Sequence, residues 1–221
     1  MTLTDAARLR HSVRAFEEAP LDAETVSRLR ELTEAVNQES GLHIQLVANE
    51  PKAFDCAIAH YGHFSGVCDY LALIGPKGPD LEEKCGYYGE KLVLEAQRMG
   101  LNSCWVAMTY RKIPDAFTIG EGEKLTVVIA LGVGKTQGVP HKSRPVTDTA
   151  PDYETAPAWF KAGADAALLA PTAVNQQKFR FYCDGETVSA KAGFGPCTKL
   201  DLGIAKYHFE LGAGRENFRW K

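Results

Sequence analysis

The sequence predicts an α+β fold, and three observations carry that expectation. Four long stretches place apolar residues at helical spacing, over about 22–40, 80–99, 157–169 and 201–213. Between them lie short runs rich in branched and aromatic residues, such as LHIQLVA, DYLALIG and KLTVVIALGVG. The chain has 221 residues, 45% hydrophobic and 24% charged, which is enough to bury a substantial core in one or two domains.

Taken in order, residues 3–12 read as a short helix leading into Ser12-Val13-Arg14-Ala15-Phe16. After Pro20, Asp22 caps a helix carrying Val26, Leu29, Leu32 and Val36 on one face, and Gly41 ends it. LHIQLVA (42–48) alternates and reads as a strand, and residues 50–66 as helix and loop. DYLALIG (69–75) reads as a buried strand running into the turn Gly75-Pro76-Lys77-Gly78-Pro79. A long helix over 80–99 stops at Gly100, and LNSCWVAM (101–108) is a short extended segment. KLTVVIALGVG (124–134) is a strong buried strand. The four prolines between Val139 and Pro157 mark a crossing segment or linker. A helix over 157–169 then leads through LLAPTAVNQQKF to the strand FRFYC, with TVSAKAG as its hairpin partner. DLGIAKYHFELGA (201–213) is the last helix.

The tetrapeptide AVNQ occurs twice, at 35–38 and 173–176, each time between a helix and a strand. The shared order of elements suggests a duplicated half-unit.

Charge and composition exclude several classes. The net charge is -3, so the basic excess of a general nucleic-acid binder is absent. No apolar run approaches the roughly 20 residues needed to span a bilayer. Arg8 and Arg10 interrupt any signal-peptide core at the N-terminus, so a cytoplasmic location is expected. The six cysteines form no CxxC pair, and neither they nor the six histidines have metal-site spacing; reduced thiols and no metal are expected.

Four motifs bear chemistry. Arg10-His11-Ser12-Val13-Arg14 packs cations and a hydroxyl together, and an extended backbone would put Ser12 and Arg14 on one side. That suits a phosphate, and equally a solvated helix end capped by Ser12. Pro171-Thr172-Ala173 with Asn175, Gln176 and Gln177 sets small residues and amides where a helix ends. Such groups can read the edge of a planar heterocycle, or can satisfy the backbone of their own loop. Lys142 and Arg144 are spaced to point the same way in an extended chain, as a second cationic contribution or as an exposed loop. Gly132-Val133-Gly134-Lys135-Thr136 resembles the end of a P-loop, but Ile129 stands where that loop needs glycine.

Together these pieces resemble the FMN-dependent nitroreductase family, and more closely its branch with two half-units fused in one chain. RHSVRAF is similar to the family's RRSVRxF, and LLAPTAVNQQKFRF to its xxAPSxxNxQPWRF, with Thr172 for serine and Lys178-Phe179 for Pro-Trp. GYYGEKLVLEAQRMGLNSCWVAM and DLGIAKYHFELGA match its central and C-terminal helices. The intact APT motif lies in the second half; the corresponding place in the first half, EAVNQESGLHIQLV, has lost it.

The resemblance implies a nitroreductase-like α+β fold with a central, mostly antiparallel sheet flanked by helices. It implies an internal pseudo-dimer, with one half-unit over 1–145 and another over 146–221. FMN is the implied cofactor. Arg10, His11, Ser12 and Arg14 would hold its phosphate, with Lys142 and Arg144 as further cations. Pro171 and Ala173 would let the backbone approach the ring, and Thr172, Ala173, Asn175 and Gln177 would face the isoalloxazine and ribityl chain. The backbone at Cys104 and Trp105 would approach its redox-active edge. No side chain is expected to act as a nucleophile or general base. The implied partners are NAD(P)H and a small electron-poor acceptor, a nitroaromatic or quinone, used in a ping-pong scheme by a monomeric pseudo-dimer or weak homo-oligomer. The rivals are a flavin-binding redox sensor or carrier without turnover, and a scaffold with an empty pocket.

Overall fold

The structure, a computed structural model, describes residues 1–221. The chain forms two compact units, one of residues 10–81 and 92–140, the other of residues 1–9, 82–91 and 141–221.

The first unit is built on a four-stranded antiparallel sheet. Its strands are β1 (Gln45–Val47), β2 (Asp69–Pro76), β3 (Asn102–Val106) and β4 (Glu123–Gly132), in the order β1-β2-β4-β3. The inner strands β2 and β4 are apolar because both their faces are covered; Tyr70 through Ile74 and Val128 through Leu131 are fully buried. The helix α2 (Ala23–Ser40) starts where Asp22 accepts a bond from the Thr25 amide at 2.7 Å. It ends at Gly41, whose left-handed φ of 70° needs no Cβ. The buried Asp69 carboxylate closes two loops, accepting from the Leu21 and Asn49 amides at 3.0 and 2.9 Å.

The second unit centres on one ring. Phe209 lies fully buried on α7 (Thr198–Ala213). It stacks on Phe181 at 4.6 Å and meets Phe160, Phe218 and Trp220 at 5.4–5.6 Å. Phe181 comes from β5 (Phe179–Asp184), paired antiparallel with β6 (Thr187–Ala192), to which the short β7 (Arg219–Trp220) adds in parallel. Phe160 comes from α6 (Ala158–Ala167), where Gly163 lets the Phe209 ring approach; a Cβ there would sit 2.9 Å from it. The first half of α4 (Leu81–Arg98) packs on α7 just as closely, since a Cβ on Gly86 or Gly203 would strike the other helix's backbone. The fully buried His208 and Glu90 pair across this contact at 2.9 Å.

The elements expected from the sequence are present, with trimmed ends. The N-terminal helix, α1 (Leu3–Leu9), ends short of residue 12, because the chain from Arg10 leaves it to join sheet edges. The proline-rich segment holds one turn of helix, α5 (Val146–Thr149). The pair of residues in β7 was not foreseen; a two-residue strand carries no periodicity to read.

Candidate functional site

The residues singled out from the sequence fall into two groups, one in each unit.

In the sheet unit, β3 is an edge strand, and the segment after Leu9 lies along it. Ser12 bridges Ser103 in parallel, and the Val13 amide donates to the Ser103 carbonyl at 3.0 Å. Further bridges from Ala15 to Ser65 and Phe16 to Gly134 hold the segment extended. Ser12 and Arg14 are exposed and Val13 between them is buried, as alternation requires; Phe16, which shares their parity, is buried, so the alternation does not extend past Ala15. Arg10 is buried and His11 half-buried. Arg14 also lies over the Phe64 ring, 5.8 Å from its centre.

Cys104, buried on β3, reports how these cations converge. Burial pushes its thiol up; Arg14, Arg10 and a hydrogen bond from Ser12 pull it the other way. The thiol is therefore held as a neutral, packed group beside two guanidiniums. Trp105, half-buried, follows it on β3. The structure thus gathers Arg10, Ser12, Arg14 and Cys104, with His11 and Trp105 as chain neighbours. Gly138 closes over His11; a Cβ there would come within 2.8 Å of the histidine Cβ. The GVGKT stretch forms the end of β4 and a turn, with the Lys135 amide on the Ala15 carbonyl at 2.9 Å.

In the second unit, residues 171–177 make a tight turn with left-handed φ at Val174 (46°), Asn175 (54°) and Gln177 (45°). For a β-branched residue such as Val174 this conformation is strained, and it persists because the surroundings fix it. The Thr172 hydroxyl accepts from the Gln177 amide at 3.0 Å. Buried Asp201 accepts from the Ala173 amide at 3.0 Å and from Gln176 Nε2 at 2.7 Å. Gln177, also buried, takes the Arg144 amide on its Oε1 at 2.9 Å and donates to the Lys142 carbonyl and to Asn175 Oδ1. Asn175 donates to the same Lys142 carbonyl at 2.9 Å. The amides at this helix-to-strand junction therefore tie the Lys142–Arg144 loop to the turn. Lys142, Arg144, Thr172, Ala173 and Asn175 share one surface, with Lys142, Arg144 and Asn175 exposed and Thr172 and Ala173 half-exposed.

Sequence reasoning missed Asp201. Desolvation is the main effect on it, pushing its carboxyl up to about 6 against the pull of its two donors. It looked like an ordinary early-helix residue, and nothing local marks its reach to the turn. It also passed over Gln176 as a tie to Asp201, and the cations Lys178, Arg180 and Lys191.

The comparisons with known proteins agree with this architecture. Residues 2–213 match the protein family described as "Putative TM nitroreductase", so the chain belongs to that family. A solved "putative nitroreductase" from Thermotoga maritima superposes with a TM-score of 0.70 at 22% identity, over 98% of this chain and 85% of that one. One from Exiguobacterium sibiricum, described as "in complex with FMN", gives 0.52 at 14% identity, over 67% and 95%. A "Putative NADH dehydrogenase/NAD(P)H nitroreductase" from Parabacteroides distasonis gives 0.51 at 19% identity, over 66% and 96%. No curated protein matches by sequence. The fold is thus nitroreductase-like α+β. No helix is long and apolar enough to cross a membrane, and no cluster of acids, cysteines and histidines suits a metal.

Proposed function

We propose that the chain is an FMN-dependent oxidoreductase that passes electrons from NAD(P)H to small electron-poor acceptors such as nitroaromatics or quinones, in turn and at one site. One observation carries the reading. Ser12 and Arg14 stand exposed on one side of an extended segment, beside Arg10, at a sheet edge that fixes their direction. This is a donor set that fits a phosphate monoester: a hydroxyl and two guanidiniums with their backbone already ordered.

Bound FMN would supply the redox chemistry, as flavins do. The chain's own part is binding and orientation. Arg10, His11, Ser12 and Arg14 are assigned to the phosphate, with Lys142 and Arg144 as further cations. Pro171, Thr172, Ala173, Asn175 and Gln177 are assigned to the ring and ribityl chain. Gln177 contributes by fixing Lys142 and Arg144 through their backbone. The strain at Val174 and Asn175 suits a turn shaped for a ligand. Backbone at Cys104 and Trp105 is assigned to the ring's reactive edge; the Cys104 thiol stays protonated and takes no part in covalent chemistry. The division into half-units at 1–145 and 146–221, and a single flavin per chain, belong to the same proposal. A cytoplasmic location and a monomer or weak homo-oligomer complete it.

Calorimetric titration of Arg14→Ala tests the phosphate assignment. A charge-assisted bond to phosphate is worth roughly 1.5–3 kcal/mol. FMN binding should weaken by about ten- to a hundredfold, and riboflavin, which lacks the phosphate, should change much less. An equal loss for both ligands would remove Arg14 from the phosphate site. The second reading is flavin binding without turnover, favoured by Lys178-Phe179 in the place of the family's Pro-Trp. Anaerobic addition of NADH or NADPH separates the two: bleaching of the flavin supports the enzyme, and an unbleached flavin supports the carrier.

A further inference from the structure

A cleft of about 560 Å³ lies on the outer face of the β5–β6 hairpin. Strand alternation builds it. Phe179 and Phe181 point to the core, which leaves Lys178, Arg180 and Tyr182 on the other face. Across the ladder Arg180 stands directly opposite Lys191. Like charges so placed repel and weaken a hairpin. Arg144 adds a fourth cation to the lining, and Asp148 is the one acid in it. Lys191 rests over the Tyr182 ring at 5.4 Å, and Lys178 Nζ is held by the Phe194 carbonyl at 3.1 Å. Phe194 itself, also lining the cleft, is 97% exposed.

The arrangement is costly for the free chain: opposed cations on one side and a bare aromatic ring on the other. Both costs are relieved by one kind of ligand, an anion that carries a flat apolar ring. We propose that this cleft binds a nucleotide, its phosphates on Arg180, Lys191 and Lys178 and its base against Phe194. The volume falls within the range of small-molecule sites. Two sources share this chemistry: a ribose phosphomonoester, as NADPH carries at its 2′ position, and a pyrophosphate, as any nucleoside diphosphate carries. The site goes beyond the flavin reading and shares only Arg144 and Gln177 with it, so neither is altered in the test.

The test is calorimetric titration of the full chain with adenosine 2′,5′-bisphosphate, ADP, adenosine and inorganic phosphate. It is repeated on Arg180→Gln/Lys191→Gln, with FMN affinity and thermal unfolding followed alongside. One or both nucleotides should bind, with adenosine and inorganic phosphate at least about tenfold weaker. The double variant should lose about a hundredfold in nucleotide affinity, roughly tenfold for each cation removed. It should unfold at the same or a higher temperature, because the cross-strand repulsion is gone, and its FMN affinity should be unchanged. A tighter bisphosphate assigns the site to the phosphomonoester, and a tighter ADP to the pyrophosphate. Absence of nucleotide binding would overturn the site, as would nucleotide affinity that survives the double substitution or inorganic phosphate bound as tightly as the nucleotides. FMN affinity reads the flavin proposal separately, so the two can fail independently.

Discussion

AVNQ at 35–38 and AVNQ at 173–176 have the same letters and different structures. The first is the last turn but one of α2, with Val36 buried and helical. There Asn37 clamps the incoming chain, donating to the Ile44 carbonyl and accepting from the Ile44 amide, both at 2.8 Å. The second is a strained turn, with Val174 exposed at 93% and left-handed. The difference lies in what precedes each copy. Leu32-Thr33-Glu34 lets the helix run on to Gly41, whereas Pro171 has no amide to donate and forbids continuation. In the first copy Asn37 is spent on its own junction. In the second the amides reach out to hold Lys142 and Arg144, which gives that junction a surface with cations and donors. Letter identity between the copies is thus no guide to equivalent roles.

Glycine substitution at the two valines should separate the copies most sharply. Val36→Gly removes a buried side chain, worth about 1.5–3 kcal/mol, and adds a helix penalty of about 0.5–1 kcal/mol, so denaturant unfolding should show a loss of roughly 2–4 kcal/mol. Val174→Gly has no burial to lose and relieves a left-handed φ, so it should leave stability unchanged or raise it by up to about 1 kcal/mol. Equal losses at both positions would break the comparison.

Acid titration addresses the next largest effect. Of the two AVNQ junctions, the first is closed by the Asn37 amide, whereas the second leans on a buried carboxylate, Asp201. Its value in the folded chain, about 6, lies above its ordinary 3.8. Between those values the folded chain keeps a proton that the unfolded chain has released. The stability this group contributes is fully present below about pH 4 and is lost as pH rises through about 6, a change of about 3 kcal/mol. The difference in unfolding free energy between wild type and Asp201→Asn should therefore shift against the wild type from pH 4 to pH 7. A pH-independent difference would show that Asp201 ionises normally.

The asparagines give a third contrast. Asn37→Ala leaves the Ile44 amide and carbonyl without their partner and should cost about 1–3 kcal/mol with flavin affinity intact. Asn175→Gly keeps the left-handed backbone and should cost less than about 1 kcal/mol in stability while weakening flavin binding. Thermal melts and FMN titration of both variants read the two effects.

These contrasts show where the sequence is legible. The limits of α2 follow from Asp22 and Gly41, local signals that work in any context. The apolar runs of β2 and β4 follow from burial on both faces. Ser12 and Arg14 were readable as a pair because a period of two survives wherever the backbone is extended. The turn at 171–177 was visible as a break, but its left-handed residues were not, because Val174 and Gln177 are poor candidates for that conformation on their own. The turn is held by partners distant in the numbering: Asp201 on Ala173 and Gln176, and the Lys142–Arg144 loop on Asn175 and Gln177. Lys178 was visible as a departure from a motif, while the opposition of Arg180 to Lys191 depends on ladder register.

The central claim is that this chain holds one FMN through its phosphate. Titration of the flavin-free chain with FMN and with riboflavin tests it most directly. FMN should bind at one per chain, and riboflavin at least about tenfold more weakly, the worth of one charge-assisted contact or more. Equal affinity for the two ligands, or two equivalent FMN sites per chain, would contradict the account.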